Sequence, residues 1–245
     1  PLGLLSVATP LDRAGWDVRL VEEYGNPRWR RELTEALRAE CVCFGVTSMT
    51  GPQLLHAVRA CELVRRQRPG LPIVWGGIHG SLLPEQTLRS GWADVVVVGE
   101  GEDTFPRLVE ALAATQPLDG VAGIAWLDDG RFRVSQPGPF VDLNAQPPLS
   151  YRLVDMDHYR RRLFGMDHVS FNSSRGCPFR CSFCWDPVLH GRRWRAMEPE
   201  TVMDHLRRVI RDYGIRGFLF TDDFFFADLA RARGFAAAGV SAAAV

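Results

Sequence analysis

Three cysteines stand at C-x3-C-x2-C spacing, Cys177, Cys181 and Cys184, in a stretch that also carries Gly176, Pro178, Phe179, Phe183 and Trp185. Thiolates bunched this closely are suited to a shared metal, because three soft ligands on one short loop cannot each pack separately into a core. A structural zinc site takes four ligands, and His190, six residues past Cys184, is the candidate for the fourth. A [4Fe–4S] cluster has four irons, so three cysteines leave one iron open to a ligand that is not protein. That open corner is a place where a substrate or cofactor can bind.

At these residues the chain resembles the radical S-adenosylmethionine (SAM) superfamily, whose C-x3-C-x2-C signature has an aromatic just before the last cysteine, matched by Phe183. Ser173-Ser174-Arg175-Gly176 ahead of the motif strengthens the likeness. The resemblance implies that Cys177, Cys181 and Cys184 hold the cluster and that SAM binds the open iron through its amino and carboxylate groups. An electron from a donor such as flavodoxin or ferredoxin would then cleave SAM to a 5′-deoxyadenosyl radical. It also implies that Phe183 and the acidic pair Asp222-Asp223 lie near SAM. The plainer role for that pair is to cap the helix that follows.

The elements that must position these groups alternate between strand and helix. Leu2 to Ala14 has helical spacing, with Pro10 expected to kink or end the helix early. Asp17–Val21 reads as a short strand, and Asn26-Pro27 as a helix start before the apolar stripe of Leu33, Ala36 and Leu37. Cys41–Val46, Leu71–Trp75 and Asp94–Val98 are apolar runs of the kind buried in parallel sheets. A helix opened by Gly51-Pro52 and another through Phe105, Leu108, Val109 and Leu112 fall between and after them. This pattern specifies an α/β, doubly wound, Rossmann-like domain. In such sheets ligands sit beyond the carboxyl ends of the strands. Three loops there are marked: Thr47–Thr50, Gly76–Ser81 and Gly99–Glu102.

Taken together, these loops resemble the cobalamin-binding domain that precedes many radical SAM domains. Ser48, Thr50, Gly76 and Gly77 match positions lining the groove for the cobalamin nucleotide tail, with His79 as a further groove residue. Gly99, Glu100, Gly101 and Glu102 match the acidic glycine loop. A bulky side chain at Gly77 is expected to block the groove without unfolding the sheet. No D-x-H-x-x-G stretch is present to supply a histidine beneath cobalt, and the family's first strand has no counterpart before Pro1.

Cys41 and Cys43 alternate on the expected strand and so share one face; core packing is the plain reading for them and for Cys61. Val121–Leu127, Asp128-Asp129-Gly130 and Arg131–Val134 read as a β-hairpin at the edge of the first domain. The organisation is therefore a cobalamin-binding-like domain over 1–136, a proline-rich linker and docking segment over 137–165, and an N-terminal portion of a radical SAM β/α (partial TIM-type) barrel over 166–245. Within the second segment, Tyr151–Phe164 with Arg160-Arg161-Arg162 reads as a solvated helix. In the barrel portion, Pro199 opens an amphipathic helix closed by Gly214, and Gly217–Thr221 is a strand ending at Asp222-Asp223.

Lys plus Arg equals Asp plus Glu at 29 each, so nothing in the charge points to nucleic acid or an anionic membrane. No apolar run approaches the ~20 residues of a transmembrane helix. Six cysteines in 245 residues do not form a disulfide scaffold, and a reducing cytoplasm suits an iron–sulfur cluster. The chain begins with Pro1 and ends on Ala-rich Phe235–Val245, which reads as a piece truncated at both ends, with the barrel incomplete. The expected activity is cobalamin-dependent radical SAM chemistry on a small molecule, either methyl transfer or ring rearrangement. The alternative is an inactive fragment or a zinc-stabilised binding module.

Overall fold

The structure is a computed structural model that describes residues 1–23, 25–163 and 166–242. The chain divides into two compact units, Gly3–Val141 and Asp142 onward.

The first unit carries a five-stranded sheet in the order β1-β2-β3-β4-β5, from β1 (Phe44–Thr47), β2 (Ile73–Gly76), β3 (Val95–Val97), β4 (Ile124–Asp128) and β5 (Arg131–Val134). The first three strands are parallel, and β4 and β5 add as an antiparallel hairpin whose turn holds Asp129 and Gly130, both at positive φ. Six helices accompany the sheet: α1 (Leu2–Arg13), α2 (Trp29–Ala36), α3 (Pro52–Gln67), α4 (Gly77–Leu82), α5 (Pro84–Arg89) and α6 (Thr104–Ala113). Strand periodicity sorts the apolar residues into two cores. Ile73, Trp75 and Val96 face one, with Trp29, Leu33, Cys61 and Val64 of α2 and α3; Val74, Val95 and Val97 face the other, with Leu108 of α6. Each fully buried aliphatic side chain contributes roughly 1.5–3 kcal/mol, so helices on both faces are required to cover the sheet.

Five local expectations are corrected. Pro10 does not end α1, which runs on through it to Arg13. Asp17–Val21 forms no strand: it pairs with nothing among the described residues, and an unpaired segment is not a ladder. Helix α2 begins two residues later than Asn26-Pro27 suggests, because the Asn26 side chain accepts from the Arg28 amide at 3.0 Å and closes a turn there. Cys41 and Cys43 do not share a face. The pairing starts only at Phe44, and a bend at Val42 sends Cys41 to the first core and Cys43 to the second. Strand β1 is also an edge strand, half-exposed along its length rather than buried.

The second unit holds α7 (Met156–Tyr159), β6 (Arg161–Leu163), β7 (Met166–Phe171), β8 (Ser174–Arg175), α8 (Asp186–His190), β9 (Arg195–Ala196), α9 (Pro199–Tyr213), β10 (Gly217–Phe220) and α10 (Leu229–Ala242). Its main sheet has the order β10-β7-β6, with β10 parallel and β6 antiparallel to β7. The expected solvated helix at Arg160–Arg162 is instead largely strand, because β7 offers an edge to pair with; Phe164 lies outside the described residues. Helix α9 buries Val202, Leu206 and Val209 against Val169 and Phe171, and Gly214 closes it in the left-handed conformation. No helix is long and apolar enough to cross a membrane among the described residues.

Candidate functional site

In the first unit the marked loops converge at the carboxyl ends of the parallel strands. Ser48, which follows β1, is buried and its hydroxyl accepts from the Trp75 indole at 3.0 Å. The Ser48 carbonyl accepts the His79 amide at 3.1 Å, and Thr50 Oγ1 is hydrogen-bonded to His79 Nδ1 at 3.1 Å. Ser81 donates to the Gly77 carbonyl at 2.9 Å and accepts from the Gly99 amide at 3.0 Å, bringing the loop after β3 to the loop after β2. Burial holds the His79 imidazole below its ordinary value.

The two paired glycines do different work. Gly77 has φ +83°, and a Cβ there would run into the Thr47 hydroxyl and lie 3.1 Å from the Ser48 carbonyl. The expectation that a bulky side chain at Gly77 would leave the sheet undisturbed is thus corrected, because it would first meet Thr47 and the Ser48 backbone. Gly76 is the open position, since a Cβ there meets nothing within 4 Å; the same holds at Gly99. The acidic loop is partly committed to the fold. Glu100 accepts from the Val141 amide at 2.8 Å, and a Cβ on Gly101 would lie 2.8 Å from Val7 of α1. Open backbone at Gly76 and Gly99, on loops tied together through Ser48, Thr50, His79 and Ser81, makes a cradle suited to a ligand that approaches the backbone closely.

In the second unit the cysteines follow β8, beyond the carboxyl end of β7. Cys181 is exposed, Cys177 and Cys184 are half-buried, all three are free thiols, and the Cys184 amide donates to the Cys181 carbonyl at 3.1 Å. Phe183 stands out from this loop, 91 % exposed, free to cover a ligand. Gly176 at φ +84° marks the loop's entry; a Cβ there would collide with the Arg193 carbonyl, so only glycine lets the chain pass beneath that turn. Tetrahedral zinc with Zn–S bonds of about 2.3 Å would draw sulfurs to roughly 3.8 Å from one another. Among the described residues, the group of donors gathered within 4.8 Å is Asp186, His190 and Asp223, and no cysteine is in it. His190 is therefore not placed as a fourth ligand with the three thiols. Burial pushes the Cys43 and Cys61 thiols up to about 12.

Asp222 and Asp223 part company. Asp222 Oδ1 accepts from the Ser173 amide at 2.8 Å, the Ser173 hydroxyl at 3.1 Å, the Ser174 hydroxyl at 2.6 Å and the Ser174 amide, fastening the end of β10 to the chain that leads into the cysteine loop. Asp223 is exposed and turns to Asp186 and His190. Asp186, at 1 % exposure, had no signal in a reading built on the cysteines; the i,i+4 spacing to His190 was the visible hint. Burial first, then the charge of Asp223, push its carboxyl above the ordinary value, with His190 and the Cys177 amide pulling the other way.

Residues 1–109 match the B12 binding domain family model, and they contain the whole of the first cradle. The chain is a B12-binding-domain protein related to the cobalamin-dependent radical SAM enzymes. An uncharacterized methyltransferase of Pyrococcus horikoshii is 32 % identical over 231 residues, which make up 92 % of this chain and 49 % of that one. An anaerobic magnesium-protoporphyrin IX monomethyl ester cyclase of a Synechocystis species is 31 % identical over 233 residues, 91 % of this chain and 45 % of that one. The chain thus spans about half the length of these relatives. Among solved structures, the radical S-adenosylmethionine methyltransferase TsrM of Kitasatospora setae, solved with cobalamin and a [4Fe–4S] cluster bound, superposes with a TM-score of 0.74 at 23 % identity, covering 96 % of this chain and 48 % of that one. The B12-binding domain accounts for the parallel sheet and its cradle. The additional mixed sheet of the second unit belongs to the same overall match.

Proposed function

We propose that the chain is part of a radical SAM enzyme in which Cys177, Cys181 and Cys184 hold a [4Fe–4S] cluster and the cradle at Gly76 takes cobalamin. The observation that carries this reading is three free thiols on one loop beyond the carboxyl end of a parallel strand, not gathered to zinc spacing. The bound cofactors supply the chemistry, reductive cleavage of SAM to a 5′-deoxyadenosyl radical coupled to methyl transfer to, or rearrangement at, an unactivated carbon. The relatives' descriptions, a methyltransferase and a cyclase, support those two reaction classes. The second unit reads as the opening of a β/α barrel, since β7, α9 and β10 form a parallel βαβ unit.

The protein's own residues bind, orient and exclude water. Asp222 holds the entry of the cysteine loop; Phe183 is an aromatic wall for SAM; Ser48, Thr50 and His79 offer hydrogen-bonding groups in the cobalamin cradle. A flavodoxin- or ferredoxin-type donor would deliver electrons to the exposed Cys181 side of the loop.

The test is anaerobic reconstitution with iron and sulfide. We expect both to be retained in wild type and lost in Cys181→Ala, with the B12-binding domain still folded by circular dichroism. Zinc without sulfide in the wild type, or a full iron complement in Cys181→Ala, would favour the zinc-stabilised binding module.

A further inference from the structure

A second donor set lies beside the cysteine loop. One ligand atom from each of Asp186, His190 and Asp223 falls within 4.8 Å of the others. Asp186 opens α8 and His190 closes it, so their i,i+4 spacing puts both on one face. Asp223 arrives from the loop after β10. Asp186 is 1 % exposed, and neither of its carboxylate oxygens completes a well-aligned hydrogen bond; His190 Nε2 stands 3.8 Å from Oδ1.

A carboxylate taken out of water with little beyond the Cys177 amide leaning towards it is costly unless its charge is matched. Asp223 makes matters worse, because it adds a second negative group on the same side. One imidazole nitrogen and two carboxylate oxygens from two separate segments suit a first-row divalent cation, which prefers such N and O donors. We propose that Asp186, His190 and Asp223 bind a divalent transition-metal cation at a site distinct from the three cysteines. The cation would match the buried carboxylate and clamp the end of β10 to α8, the helix that follows directly on Cys184. The inference does not depend on which group the cysteines hold.

Mn²⁺ is the discriminating probe, because it accepts imidazole and carboxylate but binds poorly to thiolates. The full chain, stripped with a chelator under anaerobic reducing conditions, is titrated with Mn²⁺ and the free ion followed by electron paramagnetic resonance. We expect one equivalent to bind, with affinity at least tenfold weaker in Asp186→Asn and His190→Gln and unchanged in Cys181→Ala. Asp223→Asn alters an exposed residue and so keeps the test open if a buried variant fails to fold; it too should weaken binding at least tenfold. Binding lost in Cys181→Ala but kept in Asp223→Asn would overturn the proposal. So would absence of Mn²⁺ binding by wild type at millimolar concentration, which would mean that a proton shared by the two carboxyls balances the site.

Discussion

His79 and the glycine pair decide what the cradle beyond the parallel strands tolerates. Because burial holds the His79 imidazole below its ordinary value, the native state binds fewer protons than the unfolded chain in the window below about 6.5. Stability of the B12-binding domain should therefore fall as pH drops through that window. Urea midpoints at pH 7.5 and pH 5.5 check this, and His79→Gln should flatten the difference; an equal drop in the variant would refute the assignment. Gly77→Ala combines a strained φ with a clash on Thr47 and should cost about 1 kcal/mol or more. Gly76→Trp enters open space, so it should leave the domain folded while abolishing cobalamin retention in equilibrium dialysis. Retention equal to wild type would show that the ligand lies elsewhere.

At the scale of elements, Asp222 is the residue on which the cysteine loop depends. One oxygen collects four donors, two of them main-chain amides. Charged hydrogen bonds of this kind are worth roughly 1.5–3 kcal/mol each when only one partner is removed, and they share an acceptor, so Asp222→Ala should destabilise the second unit by about 2–4 kcal/mol. Iron retention should fall with it, measured after gel filtration; unchanged retention would mean the loop is ordered by other contacts. Much of this scaffold was legible in the sequence. Val95–Val97 is uniformly apolar, and α9 repeats its apolar residues at helical spacing before Gly214, so each is fixed by its own residues. Strand β6 was not legible, because Arg161 and Arg162 become strand only where β7 supplies an edge. Asp17–Val21 fails in the opposite sense, having strand composition and no partner among the described residues. The cysteine motif was plain because its spacing is local. Asp186, His190 and Asp223 were not, since folding brings Asp223 to the other two.

For the whole molecule, each unit has its own hydrophobic cores, two in the first and two in the second among the described residues. A chain built this way should melt in two calorimetric steps. Loading the cysteines with iron and sulfide should raise one midpoint and leave the other in place, because a ligand stabilises what it binds. A single transition that shifts as one body on loading would contradict this.

The reach of Asp222 has a consequence for synthesis. It stands 49 residues after Ser173, the first group it fastens. At about 5–20 residues per second, a ribosome needs several seconds to make the intervening chain. For most of that interval the three thiols have been translated but lack the carboxylate that sets their loop, and oxygen or a stray metal meets them unorganised. If the cysteines take the proposed cluster, delivery of iron and sulfide is best timed after residue 222 has emerged, and an assembly factor acting on the finished chain would suit that order better than one acting on the nascent chain.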